Sequence, residues 1–465
     1  MVKAKKFVSL LLTGALALSM LAGCGNTQTE TETSTPADTA NTDADADADA
    51  GTNAGTDTAS GEKVTVTILC AYASEDPHGQ YVYQYADEFM KANPDITVEI
   101  TAVSSNDIYT KLAAMATSPD DLPTLFFTSA DQAPTLLDLG LMEDLNNYID
   151  ADTVSSFAEG VTEACTLNDI MAFYPIDVQP SAVIYRKDRF EEAGLQVPKT
   201  WDEFLECAKA LTADTDGDGQ TDQWGFSMVG ANNSSGQSRF MSYLWSQGQN
   251  IVSYDDAGEE WKAEVEGEDF LKAFSFWTDL NNEYNVVPTG ITEVDYATAA
   301  NYFAMGYASM ILSGSNALGV AYTNNPELKG KLGSFIIPGD HPGTMLNAEG
   351  YALCATADEA EKKAAAEFLK FFTNNDKDLM FWQSSGKIPA TKEGQTAEYI
   401  SGDDYAGFLG TVEAGCIPTV NFAGMSGLKG LLGDAYSSVF SGEKTNEQAV
   451  TELDKSLKTL LEDYN

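Results

Sequence analysis

FYPIDVQPSAVIYRKDRFEEAGLQVPKTWDEF, residues 173–204 of the 465-residue chain, holds the local signals around which the fold is organised. Its first part, Tyr174 to Pro180, carries two prolines. A residue before proline is pushed out of the α region, so this part reads as extended. Ala182-Val183-Ile184-Tyr185 follows as a short apolar strand. Arg186 to Ala193 has helical spacing and stops at Gly194. A second helix opens at Pro198-Lys199-Thr200-Trp201. The Thr200 hydroxyl can accept from the amide of Glu203, and the Glu203 carboxylate can reach back to the amide of Thr200, which is a capping box.

Upstream, strands and helices alternate. Val64–Cys70 is a buried strand, Tyr81–Ala92 a helix with Val82, Tyr85, Ala86 and Phe89 on one face, and Ile96, Val98 and Ile100 alternate as a second strand. A helix marked by Ile108, Leu112 and Met115 leads to a third strand, Pro123–Thr128. That alternation predicts a mostly parallel sheet covered on both faces. Ligands of such sheets bind beyond the carboxyl ends of the strands. The loops after the first and third strands therefore supply Tyr72, Glu75 and Asp131 as candidates.

Downstream, Tyr302–Asn316 (YFAMGYASMILSGSN) is a helix–strand unit ending in a polar loop. Leu332–Pro338 is a strand, and Glu349-Gly350-Tyr351 enters another. Asp358–Phe372 is an amphipathic helix with Ala365, Phe368, Leu369 and Phe372 inward. Phe274 and Trp277 form an aromatic stripe of core type. The last helix, Thr445–Tyr464, is capped by Thr445 and Gln448 and presents Val450, Leu453, Leu457 and Leu460 as its apolar face.

The extended YP segment, the YRKDRFEEAGL helix, the PKTWDEF helix start, the F-x-x-G-x-A-x-M-like unit and the order of these pieces resemble the extracellular solute-binding proteins of sugar ABC importers, maltose-binding-protein-like. The resemblance spans nearly all of residues 62–465. It implies an α/β, two-lobed periplasmic-binding-protein-like fold (type II), with two parallel-type sheets flanked by helices and a hinge. Crossings fall near residues 175–180, 338–343 and 373–377. The first lobe would hold 62–175 plus 342–374, and the second 176–341 plus 375–465. It also implies a carbohydrate, an oligosaccharide, in the interlobe cleft, delivered to the transmembrane subunits of a permease by a monomeric receptor. Site candidates on this reading are Tyr72, Glu75, Asp131, Asp177, Gln179, Arg239, Asn316, Glu349, Gly350, Tyr351 and Trp382. Arg239 is expected to fork onto a carboxylate of its own lobe or onto the ligand. Many relatives carry a tryptophan where Asn316 stands, so that stacking platform is absent at this position.

The start of the chain is targeting sequence. Lys3, Lys5 and Lys6 precede the apolar run Phe7–Met20, and Leu21-Ala22-Gly23-Cys24 resembles a lipobox, which makes Cys24 the lipidated N-terminus of an exported protein on the outer face of the cell membrane. Residues 25–61, rich in Thr, Ala and Asp, have almost nothing to bury and read as a disordered acidic tether. The remaining stretch of about 400 residues exceeds one ordinary core.

The net charge of −45, from 71 acidic and 26 basic residues, excludes nucleic acid as a partner. Six cysteines without a CxxC spacing give no metal or redox motif, and one disulfide is permitted but unassigned. Only His78 and His341 exist, without metal-ligand spacing. No phosphate-binding loop or nucleophile elbow occurs. The chain is therefore expected not to be an enzyme and to require no cofactor. A glycosidase using a carboxylate pair, or a surface sugar sensor, remains the alternative.

One metal motif is present. Asp214, Asp216, Asp218, Gln220 and Asp222 match an EF-hand-like loop, with Gly219 at the turn, and suggest a structural calcium ion. Its twelfth position is Gly225 where a bidentate glutamate is usual.

Overall fold

The computed structural model describes residues 63–74, 77–103, 107–118, 121–255, 257–341, 343–344, 347–374, 386–414 and 422–465. Residues 60–465 form one compact unit. The expected targeting segment 1–24 with Cys24, the expected tether 25–61, Glu75, Trp382, Cys416 and residues 375–377 of the third expected crossing lie outside the described residues.

Two sheets carry the architecture. The first contains β1 (Val64–Cys70), β2 (Ile96–Ala102), β3 (Leu125–Ser129), β4 (Tyr174–Val178), β9 (Ala348–Leu353) and β10 (Ile388–Pro389), in the order β10-β4-β9-β3-β1-β2. The second contains β5 (Ala182–Arg186), β6 (Trp224–Ser227), β7 (Ala308–Ser313) and β8 (Leu332–Phe335), in the order β8-β5-β7-β6. Every residue of β3 and β7 is buried, as expected of central strands covered on both faces.

The two-lobed α/β fold is the expected one, but both sheets are mixed. β1 pairs parallel with β2 and β3, whereas β9 runs antiparallel to both β3 and β4. In the second sheet β7 is parallel to β6 and antiparallel to β5. The cause is topological: β9 arrives from the other lobe and so runs against the strands laid down by local βαβ units.

The strands also move the expected lobe boundaries. β4 lies wholly in the first sheet, so the chain passes to the second sheet at residues 179–181, and the boundary at 175/176 falls inside a strand. β10 pairs with β4, and the Ala390 amide donates to Ile176 O at 3.1 Å. Part of 375–465 therefore belongs to the first lobe. The first two crossings run side by side: the Gln179 amide donates to Asn347 O (2.9 Å) and the Ser181 amide to Thr344 Oγ1 (3.3 Å).

Helices complete each core. In the first lobe, α1 (Pro77–Ala92) meets α10 (Glu359–Asn374), with Phe89 and Phe368 edge to face at 5.3 Å. In the second lobe, α4 (Lys187–Ala193) ends at Gly194 with φ +67°, and α5 (Trp201–Ala210) starts with the expected capping box. Trp201 packs on Phe204 (4.8 Å) and Tyr243 (4.7 Å), and Phe274 and Trp277 of α7 (Glu268–Asn282) are fully buried in the same aromatic core. α11 (Met425–Phe440) and α12 (Asn446–Leu461) pack on α7, with Val450, Leu453, Leu457 and also Leu461 buried and Leu460 partly buried against the core. Cys165, Cys207 and Cys354 are buried free thiols, and Cys70 is buried. Among the described residues no helix is long and apolar enough to cross a membrane.

Candidate functional site

A cleft of about 650 Å³ is lined by residues of both lobes and of the crossings. α6 (Ser234–Ser246) forms most of one wall. Its N-cap Asn233 accepts the amides of Ser235 and Gly236, both at 3.1 Å, and this fixes where the helix begins. Phe240, Tyr243 and Leu244 anchor one face in the core, which turns Ser235, Ser238, Arg239, Ser242 and Trp245 toward the cleft at helical spacing. The starts of α8 (Tyr296–Ala304) and α9 (Asn316–Asn324) border the same cavity through Asp295, Tyr296, Gly314 and Asn316. The crossings contribute Gln179, Ser181, Thr344 and Asn347, whose buried Oδ1 has no hydrogen-bond partner among the described residues.

Arg239 is half-buried and pairs with no carboxylate among the described residues, so the expected carboxylate of its own lobe is not its partner. Its Nε donates to Leu312 O (3.0 Å), Nη1 to Ser235 O (2.9 Å) and Nη2 reaches Ser313 Oγ at 3.5 Å. The guanidinium lies 4.8 Å from the Tyr296 ring centroid, a cation–π contact. Burial pushes its pKa below the ordinary arginine value, yet an arginine stays charged in proteins.

Asp131 sits at the carboxyl end of β3, as expected, but it already has a cationic partner. Lys429 of α11 lies 2.7 Å from its Oδ2, and the Ser129 hydroxyl donates to Oδ1 at 2.6 Å. Burial raises the Asp131 pKa, and Lys429 with the hydrogen bonds from Lys429, Ser129 and Gln132 outweighs it, leaving the carboxyl below its usual value. Asp131 belongs to the first lobe and Lys429 to a helix packed in the second, so this ion pair spans the lobes at the cleft.

Asp177, Glu349 and Tyr72 meet around a residue that sequence reasoning missed, Lys387. Asp177 of β4 and Glu349 of β9 are direct register partners. Lys387 Nζ lies 3.3 Å from Asp177 Oδ1 and bonds Glu349 Oε2. The Tyr72 hydroxyl donates to Glu349 Oε2 at 3.1 Å, and the ammonium lies 5.3 Å from the Tyr72 ring centroid. Burial, then the Glu349 and Asp177 charges, push the Tyr72 hydroxyl's pKa well up. Two carboxylates and one ammonium thus form a buried band beside the crossings.

Other candidates fall elsewhere. Tyr351 is buried, with its hydroxyl 3.2 Å from Cys70 Sγ and its ring against Phe127 (6.0 Å), so it is core and does not line the cleft. Gly350 has a packing role: a Cβ there would lie 1.8 Å from Tyr174 O. Gln179 and Asn316 do line the cleft. So do Trp245, Tyr296 and Lys429, which the sequence did not single out; the i, i+3, i+4, i+7 polar stripe on α6 was the available signal.

In the acidic loop, carboxylate oxygens of Asp214, Asp216 and Asp218 lie within 4.8 Å of one another. Asp222 instead accepts from Thr215 N (3.0 Å) and Oγ1 (2.8 Å), while Gln220 Nε2 donates to Asp218. Gly225 packs against the α5 backbone, where a Cβ would meet Ala208 O at 2.1 Å, so no glutamate could occupy that position.

A cleft at strand ends, bordered by two lobes and their crossings, defines a two-lobed ligand-binding protein. The chain matches the model of the bacterial extracellular solute-binding proteins over residues 72–378 and belongs to that family. The multiple sugar-binding protein of Streptococcus mutans is 22% identical over 66% of this chain and 70% of its own. Maltose-bound MalE3 of T. maritima superposes with a TM-score of 0.70 at 23% identity, covering 86% of this chain and 100% of that one. A solute-binding protein of Agrobacterium radiobacter in complex with ribitol gives 0.71 at 22% identity, covering 85% and 98%.

Proposed function

We propose that the protein is the substrate receptor of an ABC importer and that its cleft takes a carbohydrate, an oligosaccharide, and releases it chemically unaltered to the membrane permease. The observation that carries this is the α6 wall: hydroxyls of Ser235, Ser238 and Ser242 beside Trp245 and Tyr296, with Asn316 and Gln179 facing the same space. Sugars present hydroxyls to amides and hydroxyls, and C–H faces to aromatic rings. The relatives support it: one is named for multiple sugars and two solved neighbours hold maltose and ribitol. Asp131, Asp177 and Glu349 are each engaged by a lysine, an unfavourable start for a glycosidase's acid and nucleophile.

On this reading the receptor acts outside the cytoplasm as a monomer, held to the membrane by lipid on Cys24 through the 25–61 tether. The lobes close over the sugar, and the closed form docks on the permease. The Asp214–Asp218 carboxylates hold a structural calcium ion, which is checked by a rise in melting temperature on calcium addition. Isothermal titration against maltose, longer neutral oligosaccharides, polyols and peptides tests the main reading. Saturable binding of a sugar recovered intact is expected. Binding of peptides alone, or consumption of the sugar, would overturn it.

A further inference from the structure

Charge in and around the cleft is distributed unevenly. The chain has 71 acidic and 26 basic residues, so a cation in a partly buried position ordinarily finds a carboxylate. Lys429 and Lys387 do. Arg239 does not, among the described residues, although it borders the cavity. Three of its five N–H groups reach Leu312 O, Ser235 O and, at the limit of hydrogen-bond length, Ser313 Oγ. One N–H on Nη1 and one on Nη2 are left over. Taking a charge out of water without a counter-charge is costly, and the cost is removed when a bound anion supplies it.

The surroundings of that corner are mixed in charge, because the Asp295 carboxylate also lines the cavity. The first turns of α6, α8 and α9 all border the cavity, and a helix start carries partial positive charge. Asn233 and Asp295 cap the first two with their side chains. Ser315, at the N-cap of the third, makes no side-chain cap, and its fully buried hydroxyl has no hydrogen-bond partner among the described residues.

We propose that the cleft selects a saccharide bearing a carboxylate, a uronic acid unit, and that Arg239 is the residue that recognises it. This rests on the carbohydrate reading above. A carboxylate is favoured over a phosphate ester: Lys429 is paired with Asp131, Arg239 alone is left to meet an anion, and Asp295 on the same cavity wall repels a dianion more than a monoanion. A guanidinium with N–H groups on two nitrogens is also the partner that a planar carboxylate fits.

Titration calorimetry of the purified protein would test it at pH 7 with four probes: a disaccharide ending in glucuronic acid, one ending in galacturonic acid, the neutral disaccharide of the same linkage, and a hexose 6-phosphate. One of the acids should bind about 10- to 100-fold tighter than its neutral counterpart, and raised salt should weaken it. Arg239→Gln should abolish the preference, bringing the acid down to the affinity that the same variant shows for the neutral sugar. Arg239→Lys, which keeps the charge and loses the fork, should fall between. Equal affinity for acid and neutral sugars in the native protein would overturn the proposal. Equal loss of both in Arg239→Gln, with the variant folded by melting temperature, would make Arg239 a tie between α6 and β7 and overturn it too. A preference for the phosphate ester would overturn the choice of carboxylate. If no saccharide binds, the carbohydrate reading falls first and this one with it.

Discussion

The contributions of the two lobes to the site are built from opposite materials. The first lobe supplies Asp131, Asp177 and Glu349, and each meets a lysine that is itself buried. The second supplies serines, two asparagines, two aromatic rings, the helix-capping Asp295, which is paired with no lysine among the described residues, and one arginine without a carboxylate partner among them. The difference teaches which polar groups stay free for a ligand. A buried carboxylate is too costly to leave uncompensated, so the fold neutralises it before any ligand arrives. A hydroxyl on a helix face carries no such cost and can remain available. Carboxylates near a cleft are therefore weaker evidence for ligand contact than their chemistry suggests, and a modest serine stripe is stronger.

Removing Lys387 should break this picture most severely. Asp177, Glu349 and Lys387 are 2%, 12% and 7% exposed at their side chains, and the two carboxylates are opposed in register. Lys387→Met leaves both without a cation from that residue. The expected loss is about 3–5 kcal/mol in urea unfolding. Adding Glu349→Gln should restore part of it by removing the repulsion. A single-variant loss under about 1 kcal/mol would mean the band is water-screened like a surface pair.

Lys429→Met tests the bridge between the lobes. Asp131 keeps its bonds from Ser129 and Gln132, so a smaller cost is expected, about 2 kcal/mol. The pH dependence has a definite sign. The Asp131 pKa is lowered in the fold, so its contribution is fully present above the unfolded value of about 3.9 and is lost as pH falls through the lower folded value. Native protein should hold this increment through pH 5 and lose it in the acid limb, and the variant should have a flatter limb. Small-angle scattering without ligand should also show a larger radius of gyration for the variant, since an interlobe tie is gone. An identical acid limb in both proteins would show that the pair contributes nothing.

The sequence revealed the features that depend on neighbours in the chain and concealed those that depend on partners far along it. The Thr200–Glu203 capping box, the Gly194 stop and the alternation from β1 to β3 are local, and each is where the residues put it. The strand directions were not legible, because β9 is antiparallel to β3 only by virtue of arriving from the other lobe. Tyr351 was misplaced for a related reason. The register shifts between Glu349 and Gly350, and a bulge interrupts the two-residue alternation by which faces are counted. Asp131 was correctly placed at a strand end, but its partner Lys429 lies 298 residues away. No pattern of spacing announces that pair. Gln179 and Asn316 reached the cleft because loops at strand ends do so in this architecture, which made their position legible but not their contacts.

The smallest expected effect on stability separates the two sets of polar groups most cleanly. Asn316 lines the cleft at the first residue of α9, and its side chain is not the cap of that helix. Asn316→Ala leaves no charge unpaired, and alanine is a good helix former, so unfolding stability should change by no more than about 0.5 kcal/mol. Affinity for the saccharide should nevertheless fall about fivefold, the worth of one neutral hydrogen bond. The matched measurement is urea unfolding and calorimetry on the same preparation. A folding loss comparable to that of Lys387→Met would put Asn316 among the structural polar groups. Unchanged affinity would move the ligand away from the start of α9, and with it the argument that the uncommitted polar wall of the second lobe is where the sugar is read.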